Sequence, residues 1–212
     1  KPLENASLYF SYSKSFLPQS GDQFNALTAT LASLEPEEFE NLEFGAKWNI
    51  NPHLALTTAV YRLDRKNTRA TDPATLLTVL TGAQRSKGFE IELAGSVTEK
   101  WELIAGYAYQ DAEITRATAA APAGRSIPFV PQQSFSLWTT YRVLPRLRLG
   151  AGVVHQSDRF ASLSNAVVMP DFTRVDAAAF YEIDDRFEIQ VHAENLGNEL
   201  YFPTAHNDNN IT

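Results

Sequence analysis

Phe187-Glu188-Ile189-Gln190-Val191-His192-Ala193-Glu194 alternates apolar and polar side chains without a break. In an extended chain successive side chains point to opposite faces, so Phe187, Ile189, Val191 and Ala193 share one face and Glu188, Gln190, His192 and Glu194 the other. A helix would scatter both sets around its circumference. The stretch is a strand with one dry and one wet face.

The same period recurs along the chain. Leu42, Phe44, Ala46, Trp48 and Ile50 alternate with Asn41, Glu43, Gly45, Lys47 and Asn49. Trp101, Leu103, Ala105, Tyr107 and Tyr109 oppose Glu102, Ile104, Gly106, Ala108 and Gln110, and Phe135, Leu137, Thr139, Tyr141 and Val143 oppose Ser134, Ser136, Trp138, Thr140 and Arg142. Leu147–Val154, Arg174–Tyr181, Phe89–Ala94, Ser7–Lys14 and Leu54–Asp64 complete the set, the phase of the last being open. The expectation is an all-β chain of about nine antiparallel strands, several as long as the roughly 9–11 residues a tilted strand needs to cross a bilayer.

The connections alternate in length. Asn51-Pro52-His53, Val97–Lys100, Leu144-Pro145-Arg146 and Asp184-Asp185-Arg186 read as tight turns; Ser15–Glu38, Lys66–Ala83, Ile114–Pro131 and Ser157–Asp171 read as long loops. Short turns at one end and long loops at the other are the outer-membrane barrel pattern, periplasmic below and extracellular above. Trp48, Trp101, Tyr109, Tyr141, Tyr181 and Phe187 fall near strand ends, where an aromatic girdle belongs.

Composition agrees. No uninterrupted apolar run approaches the roughly 20 residues of a membrane helix, which excludes a helical bundle, whereas a barrel hides its apolar face by alternation. A net charge of −7 argues against nucleic acid, whose binding rests on neutralising phosphates. With no cysteine there is neither a disulfide framework nor a thiolate metal site. Lys1-Pro2-Leu3-Glu4-Asn5 lacks an apolar signal segment and reads as an internal start.

Several stretches, in order, resemble TonB-dependent siderophore receptors. They are Leu8-Tyr9-Phe10-Ser11-Tyr12-Ser13-Lys14-Ser15-Phe16; Pro36-Glu37-Glu38-Phe39-Glu40-Asn41-Leu42-Glu43-Phe44-Gly45-Ala46-Lys47-Trp48; Tyr61-Arg62-Leu63-Asp64-Arg65-Lys66-Asn67; Gly82-Ala83-Gln84-Arg85-Ser86-Lys87-Gly88-Phe89-Glu90-Ile91-Glu92; Gly106-Tyr107-Ala108-Tyr109-Gln110-Asp111-Ala112; Ile127-Pro128-Phe129-Val130-Pro131; and Glu194-Asn195-Leu196-Gly197-Asn198-Glu199-Leu200-Tyr201-Phe202. The resemblance implies a plugged barrel of about 22 strands in a Gram-negative outer membrane, of which residues 1–212 are the C-terminal part without plug domain or final strand. It implies uptake of a ferric siderophore, energised by the TonB complex through the absent plug region, with outer-membrane lipid and lipopolysaccharide around the wall.

Such ligands are often anionic and aromatic, so the resemblance directs attention to Arg and Phe on the long loops. The candidates are Phe16, Phe24, Arg69, Arg116, Arg125, Phe129, Arg159 and Phe160. Glu43, Lys47, Glu90, Glu92, Glu102, Arg142, Arg148, Arg174, Asp176, Glu188 and Glu194 are expected to face a hydrated lumen.

Other chemistry finds little support. His53, His155, His192 and His206 stand in separate segments, and Asn207-Asp208-Asn209-Asn210 lacks an EF-hand pattern, so neither a metal site nor a cofactor is expected. No nucleophile elbow or triad spacing occurs, so no catalytic residue is assigned. Gly150-Ala151-Gly152 lies mid-strand, as small lumen-facing residues rather than a nucleotide loop. A passive outer-membrane channel, and a soluble β-domain binding carbohydrate or protein, stay open as alternatives.

Overall fold

A computed structural model describes residues 4–18, 35–71, 78–117, 121–206, 208 and 210–211. Phe24 lies outside them, as does the side chain of Arg69.

The strands are β1 (Ala6–Leu17), β2 (Glu37–Asn51), β3 (Leu54–Thr71), β4 (Thr78–Thr98), β5 (Trp101–Arg116), β6 (Gln133–Leu144), β7 (Leu147–Gln156), β8 (Arg159–Phe160), β9 (Val168–Met169), β10 (Phe172–Glu182), β11 (Glu188–Ala193), β12 (Ala205–His206) and β13 (Asn210–Ile211). Nine of them form one antiparallel sheet in the order β1-β2-β3-β4-β5-β6-β7-β10-β11. β8–β9 and β12–β13 are two-stranded pairs beside it. The sheet is thus a meander of sequential neighbours, open at β1 and β11.

Side-chain chemistry at the turns explains why one end is tight. The Asn51 side chain accepts from the His53 N–H at 2.7 Å, and Asp184 Oδ1 accepts from Arg186 and Phe187 at 2.8 and 3.0 Å. Thr98 does the same for Lys100 at 3.3 Å. Each mimics a backbone turn and closes the hairpin locally.

Register decides which face each residue occupies. Phe10, Phe44, Val60, Phe89 and Tyr109 are successive cross-strand partners, so they form one row on one face. Leu103, Thr139, Ala151, Ala177 and Ala193 form another row on that face. Many large apolar side chains here are open: Phe10 is 66% exposed, Val60 54% and Val191 61%. Such an apolar surface is a liability in water and the required surface in lipid. The phase of β3 follows, with Leu56, Thr58 and Val60 on the lipid-facing side.

The opposite face carries the residues expected to line a lumen, save Glu194, which lies beyond the end of β11. Its pairs lie along the ladder: Arg142 with Glu182 at 3.7 Å, Arg148 with Glu188 at 3.5 Å and Arg174 with Asp176 at 2.9 Å. Trp138 lies flat across Gly150 and Gly152, where an added Cβ would stand 2.8 and 2.6 Å from ring atoms. The two glycines are therefore the floor of a Trp slot on the inner wall.

The structure corrects the loop reading between β3 and β4. Lys66–Ala83 is mostly strand, since β3 runs to Thr71 and β4 starts at Thr78, with Arg69 opposite Leu80 and Thr71 opposite Thr78. Backbone pairing persists there although the hydrophobic alternation has stopped. Similarly, Ser157–Asp171 contains the small pair β8–β9.

Candidate functional site

The long-loop end of the sheet holds the most enclosed part of the molecule. Ile114, Ala121 and Leu163 pack together with essentially no exposure, joining the top of β5 to the β5–β6 and β7–β10 connections. Backbone pairing extends β5 along the first connection. Ile114 N–H donates to Arg125 O at 2.8 Å, Ile127 N–H to Ala112 O at 3.0 Å and Gln110 N–H to Gln132 O at 2.9 Å. Pro128 and Pro131 lack the donors a regular ladder needs, so the segment runs alongside β5 without becoming a strand.

The two connections are then cross-tied. Asn165 accepts from the Ser126 N–H at 2.9 Å and donates its amide to Ser126 O at 3.1 Å. Arg125 Nη1 donates to Leu163 O at 3.0 Å. Phe129 N–H donates to Phe160 O at 2.9 Å. Phe129 has φ of 63°, a left-handed conformation costly for a bulky residue, and the residue is 44% exposed. The tie to Phe160 holds it there.

Beyond β11 the chain turns back over the inner wall. Asn195, with φ of 54°, exchanges hydrogen bonds with the backbone of Glu199 at 2.8 and 3.0 Å, while its own N–H reaches Asp176 at 2.8 Å. This turn delivers Tyr201 onto β10, stacked on Phe172 at 4.8 Å and accepting from Arg174 at 3.2 Å. Arg159 donates to Phe202 O at 2.8 Å, with Phe172 beneath its guanidinium at 6.0 Å. Arg159 is only 5% exposed, its Nη1 has no hydrogen-bond partner, and burial pulls its pKa below the ordinary guanidinium range. Ser164 joins Asp208 to the same cluster at 2.5 Å.

Of the sequence candidates, the structure brings Arg125, Phe129, Arg159 and Phe160 into this cluster. Arg125 and Arg159 are largely engaged by backbone carbonyls, while Phe129 is presented. Arg116 is exposed at the end of β5. Phe16 is on the outward row of β1, 58% exposed, with Lys14 over its ring at 5.4 Å. Sequence reasoning had not singled out Asn165, Phe172 or Tyr201 as parts of one site. The Ser/Asn run at 162–165 signalled a turn, but nothing local signalled its partner.

Below the cluster, a groove of about 490 Å³ runs along the inner wall between Tyr9, Glu43, Glu90, Glu92, Ser136 and Gln156. Tyr9 donates to Glu43 at 2.6 Å. Among the described residues, groups of three or more His, Cys, Asp or Glu placed to hold a metal ion are absent.

A meandering sheet with an apolar outer face, a polar inner face, tight turns at one end and tied loops at the other is the wall of a large membrane β-barrel. The TonB dependent receptor-like beta-barrel family model matches residues 1–196, and the chain belongs to that family. It is similar to the probable TonB-dependent siderophore receptor PiuA of Acinetobacter baumannii, 36% identical over 97% of this chain and 30% of the relative. It is also similar to the catecholate siderophore receptor Fiu of Escherichia coli K12, 30% identical over 91% of this chain and 27% of the relative. The chain therefore spans less than a third of these curated relatives. The crystal structure of A. baumannii PiuA superposes with a TM-score of 0.86 at 34% identity, covering all of this chain and 32% of that one. The closed form of E. coli Fiu gives 0.85 at 25%, covering all of this chain and 31% of that one.

Proposed function

We propose that the chain is part of the wall of an energy-coupled receptor that imports a ferric siderophore across the outer membrane. The observation that carries this reading is the tied loop cluster at the exterior end of the inner wall, which presents Phe129, with Arg116 exposed at the end of β5. Ring faces stack on aromatic ligands and guanidinium groups attract anionic ones, which suits a ferric chelate. The names of the similar receptors point the same way.

The remaining parts of the machine lie outside residues 1–212 in this reading: a plug domain within the lumen, a segment that meets the TonB complex, and the final strand. The open edges at β1 and β11 support it, because unpaired backbone groups in lipid cost several kcal/mol each. The inner wall offers Glu43, Glu90 and Glu92 to a polar occupant, and the outer face meets outer-membrane lipid and, at its exterior end, lipopolysaccharide.

The test is uptake of iron-55 by cells lacking their own siderophore receptors and carrying the complete receptor. Accumulation is expected with at least one of a panel of catecholate, hydroxamate and mixed ferric siderophores, and is lost when the proton gradient is collapsed. Uptake of none, or uptake indifferent to the gradient, overturns the proposal; the second result favours a passive channel.

A further inference from the structure

The outer face changes chemistry over a single cross-strand step. The row Phe10–Phe44–Val60–Phe89–Tyr109 is wholly apolar or aromatic, with Phe89 and Tyr109 stacked at 5.9 Å. The next row towards the long loops is Tyr12–Leu42–Arg62–Lys87–Asp111. Above it come Lys14, Glu40, Asp64, Arg85 and Glu113, where no large apolar side chain remains. The aromatic row is the upper rim of the hydrocarbon layer, and Arg62 and Lys87 stand at the depth of the lipid headgroups.

Arg62 and Lys87 are direct cross-strand partners. Directly opposed side chains of an antiparallel pair are about 5 Å apart at Cβ, and like charges there repel. Nearby carboxylates relieve this only in part. Arg62 Nε meets Asp64 Oδ2 at 2.7 Å, but Asp64 is shared with Arg85 Nε, also at 2.7 Å. Lys87 Nζ meets Asp111 at 3.1 Å. The Arg62 side chain stays 52% exposed and that of Lys87 57%. Three cations thus share two carboxylates, and Glu113, opposite Arg85, stands one row further from the lipid.

We propose that Arg62 and Lys87 form a site for a phosphate group on the headgroup of an outer-leaflet glycolipid whose acyl chains lie on Val60 and Phe89. A guanidinium offers paired donors to phosphate oxygens and an ammonium adds a point charge, each bond being charge-assisted. An anion between the two cations turns their repulsion into shared attraction. Arg85 belongs to the rigid part, since its Nε holds Asp64 in place. The inference rests on the proposed outer-membrane setting, with the long loops outside, and is independent of which siderophore is carried.

The test uses the complete receptor in phosphatidylcholine nanodiscs doped with bis-phosphorylated lipid A, dephosphorylated lipid A or neither, with bound lipid counted by native mass spectrometry. Wild-type protein is expected to retain the bis-phosphorylated lipid and not the dephosphorylated one. Retention should fall at least about tenfold in R62Q/K87Q, and K66Q, higher on the same strand, should retain it unchanged. Equal retention by the double variant, or none by wild type, overturns the site; displacement by millimolar inorganic phosphate overturns the commitment to a lipid. Heat-modifiable gel mobility reports whether each variant has a folded barrel, and R62Q alone serves if the double variant does not. Iron uptake measured in the same variants separates the two readings, since loss of lipid retention should leave uptake intact.

Discussion

Thr57 and Thr58 are the same residue, one position apart, on opposite faces of β3, so replacing each by Lys tests the assignment of faces directly. Thr58 has Ala46 and Ile91 as cross-strand partners, with Val60 above and Leu56 below. It stands midway between Leu54, where β3 begins, and Arg62, at the charged rim. At about 3.3 Å per residue and a tilt of about 40°, each half of that span is roughly 10 Å high, which puts Thr58 near the bilayer midplane. A Lys on the lipid face at that depth costs about 2–4 kcal/mol, lowering the folded-to-unfolded ratio about 30- to 900-fold. Thr57 instead lies between Lys47 and Glu92 on the inner face. A Lys there meets water and a carboxylate, so the expected change is within about 0.5 kcal/mol. The assay is urea titration of the complete receptor in lipid vesicles, with folded protein read by heat-modifiable gel mobility. Equal loss in both variants, or greater loss in Thr57→Lys, would refute the face assignment and the membrane boundary drawn from it.

The inner wall and the loop cluster give three further expectations. Gly152→Val drives a side chain into the Trp138 ring and should destabilise by about 1–3 kcal/mol, much of it restored when combined with Trp138→Ala, as urea midpoints would show. Tyr201→Phe keeps the stack on Phe172 and loses the bond from Arg174, so about 1 kcal/mol should go; Tyr201→Ala loses both and should cost clearly more in thermal unfolding. Asn195→Ala forces a left-handed backbone on Ala and removes two hydrogen bonds, for a loss of about 2–3 kcal/mol, whereas Asn195→Gly should recover the backbone share; limited proteolysis after β11 reads both.

The faces were legible because lipid and water impose opposite demands on neighbouring residues. From Leu42 to Ile50 the alternation is unbroken, and the register bears it out residue by residue as far as Asn49, the ladder shifting at Ile50. Where that constraint ends, so does the signal. Arg69 opposite Leu80 and Thr71 opposite Thr78 continue the ladder, yet the sequence there has lost its alternation and reads as loop. Strand length above the membrane is set by backbone pairing between two segments, a non-local quantity that composition does not encode. The phase of β3 failed to show for a related reason: Thr57 and Thr58 are equally tolerated on either face, and only their partners Lys47 and Ala46 distinguish them.

The candidate site exposes a stricter limit. Arg116, Arg125 and Arg159 look alike in a loop sequence, but the first is exposed, the second is tied to Leu163 and the third is buried. What separates Arg159 from the others is Phe202, 43 residues further on, whose carbonyl reaches its guanidinium. That meeting depends on the left-handed turn at Asn195, the pull of Asp176 on its N–H and the seat of Tyr201 on Phe172. Each of these is a plain local event, but their product is a long-range coincidence. Residue type therefore led to one neighbourhood, four of the eight candidates falling in one loop cluster, without separating a structural arginine from an exposed one. Phe129 is the exception, because the bond from its N–H to Phe160 O at 2.9 Å ties its backbone to the neighbouring connection. Held at positive φ by that tie, and 44% exposed, Phe129 stays on offer at the mouth of the wall.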